Sequence, residues 1–300
     1  NQDIRAEERV FNLIATPSYV ECLAEMNTLN TDKKNVAFII GDTPPRLDAS
    51  GISIQDWATN ANNAPLDGPD GLNTYSPYIG LYYPWGLGSD LNGNNVFVPP
   101  SVMALRTYAY NDQVAYPWFA PAGYNRGLVS GVDSVGYLNT DNAYETVHLS
   151  QGQRDVLYTN KINPIATIPG HGLVIYGQKT LNPISSALDR VNVARLINYL
   201  NYQLEQLAQP FLFEPNDEQT RKAVTTTFNS FMGSMVGQRA VYDYAIVCDA
   251  TNNTAARIDR NELWIDIAIQ PEKAIEFIYI PIRLLNTGAP MPGATRTTVA

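Results

Sequence analysis

The sequence predicts an α/β (α+β) protein, a mixed β-sheet flanked by helices with a loop-rich β elaboration and an antiparallel hairpin at its end. Three observations predict it. The chain opens with a strand–helix–strand pattern, an apolar helical stripe runs through 185–208, and two strand-like runs near the end are joined by only four residues.

In order along the chain, residues 10–15 are apolar enough for a strand, which Pro17 stops. Ser18 with Glu21 three positions later is a capping-box pattern and predicts an amphipathic helix to about Leu29, with Val20, Leu23 and Ala24 on its apolar face. Residues 36–40 form a short apolar strand, closed by Gly41-Asp42-Thr43-Pro44-Pro45. A strand–helix–strand unit of this length favours a parallel pair with a right-handed crossover. From 46 to 149 Gly, Pro, Asn and Asp cluster, and short aromatic strands are predicted at 78–83, 96–98 and 103–110.

Ser150 with Gln153 repeats the capping-box pattern and predicts a short helix to about Asn160. A strand follows at 172–177. The helix predicted from Ser185 to about Ala208 carries Leu188, Val191, Leu196, Leu200, Leu204 and Leu207 at core-facing spacing, and Pro210 ends it. Asn216 and Gln219 cap a further helix to about Val236, with Val224, Phe228, Phe231, Met232 and Met235 on one side. Strands are predicted at 241–248, 262–269 and 274–284, the last two joined through Gln270-Pro271-Glu272-Lys273 as the closing hairpin. The expected organisation is one core domain over 1–287, with 46–149 as an elaboration within it, and a flexible tail over 288–300.

Composition narrows the function. Of 300 residues 45% are hydrophobic and only 16% charged, with 18 Tyr and 4 Trp, a balance suited to surfaces that face other protein. The net charge of −9 argues against a nucleic-acid partner, since no basic excess exists to displace counterions from phosphates. No apolar run reaches the length of a membrane span and no signal peptide is visible, so no membrane partner is expected. Cys22 and Cys248 read as small buried apolar residues rather than a disulfide, which suits a reducing compartment. The chain begins at Asn1, without Met and inside a charged segment, and is expected to be a piece of a longer protein.

Gly172, Gly177, Gln178, Lys179 and Thr180 are one insertion away from a nucleotide-binding P-loop. That loop needs backbone N–H groups turned onto phosphates and Lys directly after the last Gly. Here Leu173, Val174, Ile175 and Tyr176 form a β-branched, aromatic run that reads as a buried strand, and Gln178 displaces Lys179 by one residue. The two histidines, His148 and His171, lack neighbouring partners for a metal site or a Ser-His-Asp triad; both read as structural, His171 in an exposed turn. Asp259, Glu262 and Asp266 offer an acid–base pair for a hydrolase, against the plainer reading of a solvated strand face. Asp90-Leu91-Asn92-Gly93-Asn94 starts like a calcium loop but has Asn95 and Ser101 where Gly and an acidic ligand belong. The aromatic clusters Tyr82-Tyr83-Pro84-Trp85 and Tyr116-Pro117-Trp118-Phe119 suit a carbohydrate-binding adhesin or, more simply, packing. The sequon at Asn252 carries no weight without a secretory context. No catalytic, cofactor-binding or metal-binding residue is assigned.

The segments INPIATIPGHGLVIYGQKTL (162–181), SALDRVNVARLINYL (186–200), FEPND (213–217) and RNELWIDIAIQPEKAIEFIYIPIRL (260–284) occur in an order that resembles the contractile-tail sheath proteins of myovirus-type bacteriophages. VPPSVMALRTYAYNDQVAYPWFAPAGYNRG (98–127) and the opening ERVFNLIATP, with the helix and VAFIIGDTP after it, extend the resemblance over most of the chain. The pattern departs at Ala166 and His171, where the family often carries Arg, and at Tyr176 and Arg221, where it often carries Trp.

The resemblance implies a structural virion protein rather than an enzyme, with no cofactor and no ATP site. Subunits would stack as helically arranged hexameric rings around a tail tube, tied by arms that add strands to each other's sheets. Contraction would drive the tube through the host envelope during genome delivery. Implied partners are further copies of itself, the tail tube protein, and the baseplate and tail terminator proteins. The implied location is the virion tail sheath, after assembly in the host cytoplasm. The chain would be the C-terminal core of a subunit whose N-terminal arm and outer domains lie elsewhere.

Two site expectations follow. Glu276, Phe277, Ile278, Tyr279, Ile280 and Ile282 are expected in an intersubunit strand, given the apolar run and its terminal position. The helix over 216–236, through Arg221 and Lys222, is expected to lie against the tube.

Overall fold

The computed structural model describes residues 2–276. A short helix α1 (Gln2–Arg5) precedes β1 (Leu13–Ala15), a 3-10 turn (Val20–Cys22), α2 (Leu23–Asp32), β2 (Phe38–Asp42) and α3 (Gly51–Ala58). Next come β3 (Ile79–Tyr83), β4 (Trp85–Ser89), β5 (Asn95–Val98), α4 (Pro100–Val114), α5 (Gly123–Arg126), β6 (Ser134–Leu138) and β7 (Tyr144–Thr146). The remainder is α6 (Gln151–Thr159), β8 (Ile162–Ile168), β9 (Gly172–Ile175), α7 (Val191–Ala208), α8 (Glu218–Gly237), β10 (Val241–Val247), α9 (Ala255–Ile258) and β11 (Asp266–Pro271).

The central sheet has the order β1-β2-β3-β8-β9. Its first four strands are parallel, and β9 returns antiparallel to β8. Alternation along the strands sorts the core onto two faces. Ile39, Ile79 and Leu81 pack with Leu23 and Met26 of α2, Ile54 and Trp57 of α3 and Leu157 of α6. Phe38, Ile40 and Tyr82 pack with Met103, Ala104 and Tyr108 of α4 and Val191 and Ala194 of α7. A sheet covered by helices on both faces explains why β2 and β3 are buried at every position.

A second, antiparallel sheet, β5-β4-β6-β7, continues directly from β3 through Pro84. At its outer end the Asp90 carboxylate accepts from the backbone N–H of Asn92 and Asn94, so the calcium-loop look-alike is an Asx turn closing the β4–β5 connection. The C-terminal part is a third layer. Leu196 and Leu200, in the middle of α7, pack with Met232 and Met235 of α8, while Val224 and Phe228 lie under the pair β10–β11.

The mixed sheet, its flanking helices and an antiparallel strand pair towards the end match the fold class read from sequence. The differences are local. Residues 103–110, expected as a strand, lie inside α4, whose buried positions Met103, Ala104, Thr107, Tyr108 and Asn111 follow a helical period that two polar residues disguise. Ser18 does not cap α2: its φ is +76° and its N–H donates to the Asp42 carboxylate. Ser150 does make the full reciprocal capping box with Gln153. At α8 the cap falls one residue later than expected, on Asp217, which accepts from the N–H of Thr220. The closing strand runs through Gln270 and Pro271 and pairs with β10, so those residues are not a turn. Ala274, Ile275 and Glu276 are outside any strand, and the rest of the expected 274–284 strand lies outside the described residues. Within 46–149, β3 is the middle strand of the central sheet rather than an elaboration on it.

Candidate assembly interface

β10 and β11 form a two-stranded antiparallel ribbon, with Val247 opposite Asp266, Ala245 opposite Ala268 and Tyr244 opposite Ile269. One face is anchored. Tyr244, Ile246, Ile267 and Ile269 pack towards α8, and the Tyr244 hydroxyl donates to the Asn229 carbonyl at 3.1 Å. The other face, with Tyr242, Asp243, Ala245, Ala268 and Gln270, is exposed. Among the described residues each strand has a single partner, so both outer edges present unpaired N–H and C=O groups. Such edges are templates for a further strand, and an isolated two-stranded sheet is of marginal stability.

The loop between these strands is stiffened from inside. The Asn252 side-chain amide donates to the carbonyls of Val247 and Trp264 and to Asp266 Oδ2 at 2.8 Å. Asn253 is bonded to Trp264 in both directions, and the Arg257 guanidinium lies 3.9 Å from the Trp264 ring centre. Asn252 is therefore a buried strut, with its amide committed to the loop.

The three carboxylates weighed for hydrolysis have separate partners. Glu262 accepts from Arg260 Nε at 2.8 Å, Arg260 Nη2 at 3.0 Å and Trp264 Nε1 at 2.9 Å. Those bonds, the Arg260 one foremost, pull its carboxyl down to about 2. A carboxylate held in that state has no proton to give near neutral pH, so it is a poor general acid. Asp266 receives the Asn252 amide, and Asp259 is exposed. Among the described residues no group of His, Cys, Asp and Glu is arranged to hold a metal ion.

Of the adhesin candidates, Tyr82, Tyr83, Trp85 and Trp118 are buried. Trp85 stacks on Phe97, and Trp118 lies between Tyr116 and Tyr199 with its indole N–H donating to the Gln238 carbonyl. These rings are core, and the sugar-binding reading finds no support in them. In the P-loop look-alike, residues 172–175 are β9, the Lys179 N–H donates to Asn163 Oδ1, and the Lys179 ammonium sits 4.3 Å from the Tyr158 ring centre. His171 lies in an exposed turn, stacked on Tyr124 at 4.1 Å. Cys22 and Cys248 are free thiols; Cys248 is buried, Cys22 only partly, and burial raises both.

Of the residues expected against the tube, Arg221 folds back onto the start of its own helix, donating to the Asn216 carbonyl and to Asn216 Oδ1. Lys222 is three-quarters exposed and pairs with Glu218 one turn earlier at 2.6 Å. Of the expected intersubunit strand only Glu276 is among the described residues; Phe277, Ile278, Tyr279, Ile280 and Ile282 are not. Glu276 is clasped by Arg190 and Gln178. Sequence reading missed this contact, because residues 86 apart in sequence leave no local pattern.

The family description "Phage tail sheath C-terminal domain" matches residues 185–284, the span that contains α7, α8, β10 and β11. The tail sheath protein of Vibrio phage KVP40 is 36% identical over 241 residues, covering 79% of this chain and 34% of that protein. The tail sheath protein of Enterobacteria phage T4 is 33% identical over 286 residues, covering 89% of this chain and 41% of that protein. The chain thus spans between a third and two fifths of the length of these curated relatives. In fold it is similar to a chain of the anti-feeding prophage baseplate in its contracted state, with a TM-score of 0.73 at 22% identity over 95% of this chain and 75% of that one. A chain of the helical sheath of the same particle, also contracted, gives 0.71 at 20% identity over 91% and 70%. With relatives of the same description 36% and 33% identical over 79% and 89% of its length, this chain belongs to the tail sheath protein family.

Proposed function

We propose that this chain is the core of a contractile-tail sheath subunit, a structural virion component. It polymerises as helically stacked hexameric rings around a tail tube and contracts to drive that tube through the host envelope. The observation that carries this reading is the β10–β11 ribbon, both of whose edges are unpaired among the described residues, followed within a few residues by the apolar run Phe277, Ile278, Tyr279, Ile280 and Ile282. Glu276, held by Arg190 of its own copy, precedes that run, which adds as a strand to the ribbon of a neighbouring copy. A backbone hydrogen bond is worth about 1 kcal/mol net, so four or five per added strand give roughly that many kcal/mol. One such link is weak, but repeated through a polymer it is strong and stays joined while subunits rotate. The energy for contraction comes from the lattice, which moves from a metastable extended form to one with more subunit contact. The work is mechanical, without catalysis or a cofactor.

Proline at Ile278 or Ile280 removes a ladder donor and is expected to abolish polymerisation while the core stays folded. Electron microscopy of the full-length protein checks this, and sheath tubes formed by either variant would refute the strand assignment. The partners read for the whole assembly are further copies of the chain, the tube protein, the baseplate and the tail terminator, with assembly in the host cytoplasm.

Arg221 and Lys222 face the tube in this reading, and their contacts rank them. Lys222 is the accessible cation, so Lys222→Glu is expected to weaken tube binding in co-sedimentation more than Arg221→Glu, whose effect falls first on the start of α8. Equal binding by wild type and Lys222→Glu removes the helix from the tube interface.

A further inference from the structure

β11 ends at Pro271, but the chain does not leave the body there. The Glu272 N–H donates to the Ala240 carbonyl at 3.3 Å, and the Asn192 side chain, in the first turn of α7, donates to the Glu272 carbonyl at 3.4 Å. Four residues later the Glu276 carboxylate is gripped from two sides. Arg190 Nε lies 2.6 Å from Oε1 and Nη2 lies 3.0 Å from Oε2, a two-pronged pair, and Gln178 Nε2 donates to Oε1 at 3.2 Å.

The grip draws on three parts of the fold. Arg190 immediately precedes α7, whose N-terminus favours a carboxylate. Gln178 follows β9 and is tied to α7 through the bond from the Val191 N–H to its own carbonyl. Tyr158 of α6 closes the pocket; burial, and then the adjacent Glu276 carboxylate, raise its hydroxyl so that it stays protonated. The Glu276 side chain is only 16% exposed and that of Arg190 32%, unlike the open surface pair Lys222–Glu218. Two-pronged, half-buried pairs hold geometry better than exposed ones do.

We propose that the Arg190–Glu276 clasp is a positioning contact. It pins the outgoing chain to the body, so that the segment offered to a neighbouring copy starts at 277 rather than 273. This rests on the reading above that this segment joins copies. Freeing residues 273–276 adds four residues of slack, about 14 Å of reach when extended. A longer tether lowers the effective concentration of the strand at its acceptor edge and lets neighbouring copies adopt a wider range of spacings.

The test uses the full-length protein with Glu276→Lys, Arg190→Glu and the double exchange Arg190→Glu/Glu276→Lys. Two quantities are read: the subunit concentration at which tubes form, and the rate of trypsin cleavage after Lys273 in unassembled subunits. Each single reversal is expected to raise the assembly concentration severalfold and speed cleavage severalfold, with an unchanged thermal midpoint, and the exchange is expected to recover most of both. Single variants that assemble and are cut like wild type overturn the proposal, as does an exchange that restores neither. If a reversal unfolds the protein, Glu276→Gln decides, since it keeps the shape and loses the charge; wild-type assembly and cleavage there overturn the clasp. A wild-type protein that forms no tubes would sink the sheath reading instead, and the cleavage rates would still decide the clasp.

Discussion

Asp42 does at one residue what a local helix cap does elsewhere. α4 opens with Pro99 as its cap residue, which has no side-chain acceptor, and Pro100 at its first position. The Ser101 N–H would be one of the unsatisfied donors of that end. Asp42 reaches it from the end of β2, accepting from Ser101 N–H at 2.5 Å, Ser101 Oγ at 2.9 Å and Ser18 N–H at 2.9 Å. Burial nevertheless wins over those donors and raises its carboxyl above the ordinary range. An acid raised in the folded state contributes stability that is full below its unfolded value, about 4, and is lost as pH rises through the folded value. In denaturant titrations at several pH values, the stability of wild type relative to Asp42→Asn is therefore expected to decline from pH 3.5 towards neutrality. A constant difference would mean that Asp42 does not titrate in the fold. Nothing local in the sequence announces this role, because Asp42 and Ser101 are 59 residues apart.

The elements show which signals in the sequence were sufficient. The capping box at Ser150 is local and complete, and Ser150→Ala is expected to cost about 1 kcal/mol in chemical denaturation. The same pattern at Ser18 fails, because the long-range bond to Asp42 holds that residue at positive φ, outside the cap conformation. β8 hid behind Pro164, which sits in the sheet interior opposite Tyr83. There Asn163 supplies extra bonds, donating to the carbonyls of Leu81 and Lys179 and accepting from the Lys179 N–H. α4 hid behind Thr107 and Asn111, polar residues buried on its inner face. α8, β9 and β10 were legible from their apolar periods, and α7 from Val191, Leu196, Leu200, Leu204 and Leu207, in spite of the buried Asn192, Arg195 and Asn198 between them. At the candidate interface the existence of the two strands could be read in this way. The pairing of β11 with β10 and the Glu276 clasp could not, since both depend on contacts distant in sequence.

At the scale of the molecule, the central sheet and the C-terminal layer are joined through α7. Val191 and Ala194 lie in the core beneath the sheet, and Leu196 and Leu200 lie in the core shared with α8 and β10. Between them Arg195, 3% exposed, makes a two-pronged pair with Asp112 of α4 at 2.9 and 2.6 Å and lies over the Tyr108 ring. Breaking a buried pair from one side leaves the other charge without compensation, so Arg195→Ala is expected to lower stability by about 3 kcal/mol. A single denaturation transition at lower denaturant would show the two layers unfolding together; two separated transitions would show that α7 does not couple them. Asn198 adds a second tie across the same seam, donating to the carbonyls of Asn35 and Ala37. An 18-residue helix is about 27 Å of stiff rod with no hinge within it. In the proposed sheath, tension on the β10–β11 edge therefore runs along that rod into the central sheet, so that each copy acts as a solid link.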